Sequence, residues 1–125
     1  MSRLRQVLDD AFHKQEATLI YYVTFDLTGT ADDKSVYKQI EQAIEAEGYS
    51  RDTNIEEDAL PYNFYAGQKR ITFDDRYTDL EKEIDKAKDK FAEVITTIIT
   101  SIAPGKLDRL FLSVSDAAHT KIHIG

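Results

Sequence analysis

The segment Thr18–Leu27, TLIYYVTFDL, decides the fold. In an extended chain, successive side chains point to opposite faces. Leu19, Tyr21, Val23, Phe25 and Leu27 then share one side, and Ile20, Tyr22, Thr24 and Asp26 the other. Tyr, Val, Ile, Phe and Thr all suit a pleated surface. Apolar residues occupy most of both sides, which predicts a central strand covered on both faces. Asp26 is the exception, placing a carboxylate at the strand's exit. A charge there must be paired, hydrated or bound to a cation. Two readings follow: a cap on the exit into the loop, or a ligand.

Outward from this strand, residues 2–16 read as an amphipathic helix. Leu4, Val7, Leu8, Ala11 and Phe12 recur at helical spacing, and Ser2 suits the N-cap. A helix this short needs a second surface to be stable. His13 near its end is an ordinary cation placement. Beyond the strand, Thr28–Asp33 is a polar loop whose Asp32 and Asp33 serve as helix caps or as further metal ligands. Lys34–Glu47 reads as a helix with Val36, Tyr37, Ile40, Ala43 and Ile44 buried, closed by Gly48 in a left-handed conformation. Tyr49–Ile55 reads as a short edge strand.

Residues 60–73 suggest an interrupted strand. Phe64 and Ala66 take one parity, Ile71 and Phe73 the other, and a bulge at Gly67 would reconcile them. Thr78-Asp-Leu-Glu81 matches a capping box. The long helix after it uses Leu80, Ile84, Ala87, Phe91, Ile95, Ile98 and Ile102 as one stripe, ending at Pro104-Gly105. Its second half is rich in β-branched residues, yet the period argues helix. Lys82, Lys86 and Lys90 lie off the stripe, as a solvated face. Leu107–Ser115 alternates as a strand, with Leu110, Leu112 and Val114 against Arg109, Phe111 and Ser113. His119–Ile124 predicts a short last strand. On a strand, four steps of about 3.3 Å separate His119 from His123 by about 13 Å, too far for a shared zinc with nitrogens at about 2.1 Å.

The order is β-α-β-β-α-β with an added N-terminal helix (residues 1–17) before a single α+β domain (residues 18–125) ending in a short C-terminal strand. This is the ferredoxin-like arrangement, an antiparallel sheet with two helices on one face. The face bearing Ile20, Tyr22, Thr24, Arg109 and Phe111 is too apolar to be left wet. Either the N-terminal helix or a second copy covers it.

The chain has 125 residues, no cysteine and a net charge of −7. One domain is the simplest expectation at this length. Absent cysteine rules out disulfides and thiolate metal sites. Together with the amphipathic start, it favours the cytoplasm. No segment approaches the roughly 20 apolar residues of a membrane helix. Residues 17–48 carry six acids against two bases, and residues 49–75 six against three. That balance disfavours a large phosphate-contacting surface and suits a basic protein partner.

Tyr22-Val-Thr-Phe-Asp-Leu27, a helix ending in Gly48-Tyr49, and Leu60-Pro-Tyr-Asn-Phe-Tyr-Ala-Gly67 before the next strand resemble the small Cas2-like proteins. These include the CRISPR adaptation subunit and the VapD-type and GhoS-type ribonucleases. The resemblance covers roughly residues 19–116. It implies a homodimer whose open sheet faces meet, with Asp26 as catalytic residue and Mg2+ ligand near the interface. A pair of such carboxylates suits a hard, water-retaining cation, whose bound water attacks a phosphodiester. Arg51, Lys69 and Arg70 are the candidates to meet nucleic-acid phosphates; as edge-strand charges they equally deter aggregation.

The sequence therefore supports two readings. The first is a small dimeric scaffold or regulatory interaction module. The second is a Cas2-like metal-dependent ribonuclease or nucleic-acid-processing dimer using Asp26. Whether the chain is an enzyme is left open by the sequence, and Mg2+ is the one cofactor in question.

Overall fold

The computed structural model describes residues 3–28, 34–50 and 64–120. The elements are α1 (Arg3–His13), β1 (Lys14–Leu27), α2 (Lys34–Ala46), β2 (Phe64–Asp74), α3 (Leu80–Ile102) and β3 (Leu107–Asp116). A 3-10 turn, Ala117–His119, follows. The fold is mixed α and β: among the described residues there are three α-helices and an open, three-stranded antiparallel sheet in the order β2-β1-β3.

β1 is the central strand, and its alternation sorts the molecule into two sides. Leu19, Tyr21, Val23 and Phe25 are buried against Ile40 and Ile44 of α2 and Phe91, Ile95 and Ile99 of α3. Each such side chain contributes about 1.5–3 kcal/mol on burial. The expected division of faces holds on the other side too. Thr24 pairs with Phe111 and Asp26 with Arg109 in register. Ile20 is buried there, while Phe111 is 62% exposed.

Several local expectations need correction. β1 begins at Lys14, so residues 14–17 are strand, and α1 stops at His13. No bulge interrupts β2: the pairing runs without a shift from Lys14↔Asp74 to Thr24↔Phe64. Its two parities are both real. Tyr65, Ile71 and Phe73 are on the helix-covered side, and Phe64 and Ala66 face the opposite way. Gly67 has a different reason to be glycine. A Cβ there would stand 2.7 Å from Tyr49 Cδ1 and 2.8 Å from the Gly48 carbonyl oxygen, so the chain after α2 packs directly onto this strand position. Gly48 itself has φ +96°, as its place after the helix requires.

α3 is capped by Asp79 in place of the expected Thr78. The Asp79 carboxylate accepts from the Lys82 amide at 2.8 Å. Glu81 and Glu83 in the first turn suit the helix dipole. The isoleucine-rich half is helical because Phe91, Ile95 and Ile99 recur every fourth residue and all reach the core. Packing overrides the β preference of the single residues. On the wet side, Thr100 and Ser101 hydroxyls donate to the Thr96 and Thr97 carbonyls at 2.8 and 2.7 Å.

Of the expected edge strand 49–55, Ser50 forms an isolated antiparallel bridge to Ala66, and residues 51–55 lie outside the described residues. In the expected last strand, His119 belongs to the 3-10 turn, and residues 121–124 lie outside the described residues. No helix among the described residues is long and apolar enough to cross a membrane.

Candidate functional site

Asp26 stands at the end of β1, beside Arg109 on β3. The Arg109 guanidinium donates to Asp26 Oδ2 at 3.1 Å. Both side chains are largely exposed, so the pair is screened and weak. It gives the Asp26 carboxylate a side-chain partner where the sequence suggested a cation. Thr24, Asp108 and Phe111 complete an open cleft of about 520 Å3 around the pair. Among the described residues, no group of three acidic or histidine side chains is placed to hold a metal ion. Asp32 and Asp33 lie outside those residues.

Of the candidate phosphate contacts, the two among the described residues, Lys69 and Arg70, do not converge. Lys69 lies over the rings of Tyr49 and Tyr21, 4.7 and 5.7 Å from their centroids. Arg70, next in the strand and on the opposite face, donates to Glu16 at 2.8 Å. Arg51 lies outside the described residues. Beneath Lys69, Tyr21, Tyr49 and Phe91 form a ring cluster with centroids 4.7–5.6 Å apart. Burial pushes the Tyr49 hydroxyl up to about 12. Lys69 therefore caps an aromatic cluster.

The most unusual arrangement is at the other end of the sheet, where α1 meets the turn between β2 and α3. Arg76 in that turn holds Asp74 with two guanidinium nitrogens, Nε and Nη2. It also reaches Asp9 at 3.0 Å and Asp10 at 2.9 Å on α1. His13 Nδ1 lies 2.6 Å from Asp75 Oδ1, and the Gln15 amide donates to the same carboxylate at 3.1 Å. The Asp75 amide donates to the His13 carbonyl at 3.0 Å. The hydrogen bond from Arg76 holds the Asp74 carboxyl down at about 2; its hydrogen bonds to Asp74 and Asp10 push Arg76 upward.

This network fastens α1 by its polar side. At roughly 100° per residue, Asp9, Asp10 and His13 lie opposite Leu4, Val7, Leu8 and Phe12. The apolar stripe is accordingly turned outward, with its four large side chains 56–78% exposed. An amphipathic helix ordinarily docks the other way round. The N-terminal helix thus does not cover the open face of its own sheet. Sequence reasoning found the stripe and missed the clasp; the signal was Asp9-Asp10 opposite the stripe, together with a lone arginine in Asp74-Asp75-Arg76.

No family model, curated protein or solved structure matches the chain.

Proposed function

We propose that this chain is a small dimeric interaction module of ferredoxin-like type, acting as a scaffold or regulator by holding protein surfaces. The observation that carries the reading is the inverted docking of α1, polar side in and apolar stripe out. Leaving four large apolar side chains in water is costly, and exposed apolar patches of this kind mark interaction sites. The ferredoxin-like assignment draws support from the Ser50–Ala66 bridge, which lies on the free side of β2, where a fourth edge strand belongs in that arrangement.

The Cas2-like nuclease reading draws less support. Asp26 would have to exchange Arg109 for a cation, and Lys69 and Arg70 serve opposite faces. The net charge of −7 fits a basic protein surface better than a phosphate backbone.

The test is the double variant Leu8→Asp/Phe12→Asp. Both positions are exposed, so stability should stay within about 0.5 kcal/mol of the parent. Analytical ultracentrifugation should show the parent associating, with itself or an added partner, and the variant not. Identical association by both proteins would overturn the proposal.

A further inference from the structure

We infer that α1 is held by a proton-operated latch: the imidazolium of His13 clamps the last turn of the helix between Asp9 and Asp75, and the neutral ring lets that helix unravel. The latch adds regulation to the proposed docking role of the stripe and rests on that role for its consequence. His13 is gripped at both ring nitrogens. Nδ1 lies 2.6 Å from Asp75 Oδ1, and Nε2 lies 3.6 Å from Asp9 Oδ1. An ionised carboxylate can only accept, so Nδ1 carries the hydrogen that points to Asp75. The neutral ring then turns a bare Nε2 lone pair toward an anionic oxygen. The protonated ring turns an N–H toward it, and both contacts become attractive. The side chain is 26% exposed, so solvent screens these contacts in part.

The surroundings favour the cation. His13 stands in the last turn of α1, where the helix dipole is negative. The carboxylates about it are Asp9 on α1, Asp74 at the end of β2 and Asp75 in the turn. The cations are Arg76, already engaged with Asp9, Asp10 and Asp74, and Lys14 on β1, whose strand partner is Asp74. Gln15 of β1 is neutral and donates its amide to Asp75.

The helix has little to fall back on. Among the described residues, α1 buries no side chain. A helix of 11 residues is marginal alone, and exposed ion pairs are individually weak. Losing one attraction in the network therefore shifts the balance from helix toward coil. Leu4, Val7, Leu8 and Phe12 form one surface only while α1 is wound, so the charge on His13 governs whether that surface exists. Imidazole ordinarily changes charge between about pH 5 and 8, an interval in which carboxylates and guanidinium groups keep theirs. The latch is closed toward the acid end of that interval and loosens as pH rises.

Amide hydrogen exchange, corrected for the intrinsic rate at each pH, reads the opening of α1. From about pH 5.5 to about pH 7.5, the opening constant of the amides of Leu8–Phe12 should rise about fivefold, as two partly exposed pairs allow. The amides of Phe91–Ile99 should keep theirs, which separates opening of α1 from unfolding of the core. His13→Lys, charged throughout, should stay closed at both pH values. His13→Gln, neutral throughout, should show the high-pH opening at both. A parent helix whose opening ignores pH would overturn the latch, as would an equal pH response in His13→Gln. The docking role fails separately: association that persists unchanged while α1 opens would count against the stripe and leave the latch standing.

Discussion

Replacing Gly67 by alanine tests how the chain after α2 is seated on the sheet. The added methyl would meet Tyr49 Cδ1 at 2.7 Å and the Gly48 oxygen at 2.8 Å. Neither can yield easily. The Tyr49 ring is 3% exposed and packed against Tyr21 and Phe91, and the oxygen is the backbone carbonyl of Gly48, whose φ is +96°. Overpacking of this kind costs about 1–3 kcal/mol, and the stiffer unfolded chain returns about 0.4–1. The net loss should be about 1–2 kcal/mol, or roughly 5 °C in Tm for a domain of this size. Urea denaturation with an unchanged m-value would read it directly. In a Tyr49→Ala background the loss should shrink by at least about 0.5 kcal/mol without vanishing, because the Gly48 oxygen remains. A Gly67→Ala protein as stable as the parent would refute the close approach, and full additivity with Tyr49→Ala would refute the role of the ring.

Phe91→Ala removes a side chain 2% exposed at the centre of the core and should cost about 3–5 kcal/mol by chemical denaturation; a loss under about 1 kcal/mol would contradict the packing. Because the folded pKa of Asp74 is depressed to about 2 from 3.8, its contribution to stability is complete above pH about 4. It should fade as pH falls toward about 2. Asp74→Asn should lack that acid-dependent component, and matching acid profiles for the two proteins would remove Asp74 from the clasp. For the purified parent, Mg2+ should produce no cleavage of single-stranded RNA above background. Cleavage by the parent that Asp26→Asn abolishes would displace the interaction reading in favour of the Cas2-like one.

What could be read from sequence was whatever depends on spacing alone. The alternation of Leu19–Leu27 assigned both faces of β1, and the period of Phe91, Ile95 and Ile99 outweighed their β-branched neighbourhood. Gly48 announced its positive φ. Features that depend on distant partners were not legible. Gly67 resembled a bulge because nothing local reveals that Tyr49 lies over it. The pairing of Asp26 with Arg109 follows from a strand register that neither residue encodes locally. The stripe of α1 showed that one side must be covered and said nothing of what covers it. The contacts of Arg76 with Asp9 and Asp10, and of His13 with Asp75, reveal that the helix is attached by its back.

The passage from α1 to β1 occurs between His13 and Lys14, with no intervening residue. Lys14 is already paired with Asp74, the first rung of the sheet. No hinge exists there to absorb rotation. Torque applied to the helix would be delivered straight to the end of the central strand, loading the core spine of the molecule as a lever loads its fulcrum.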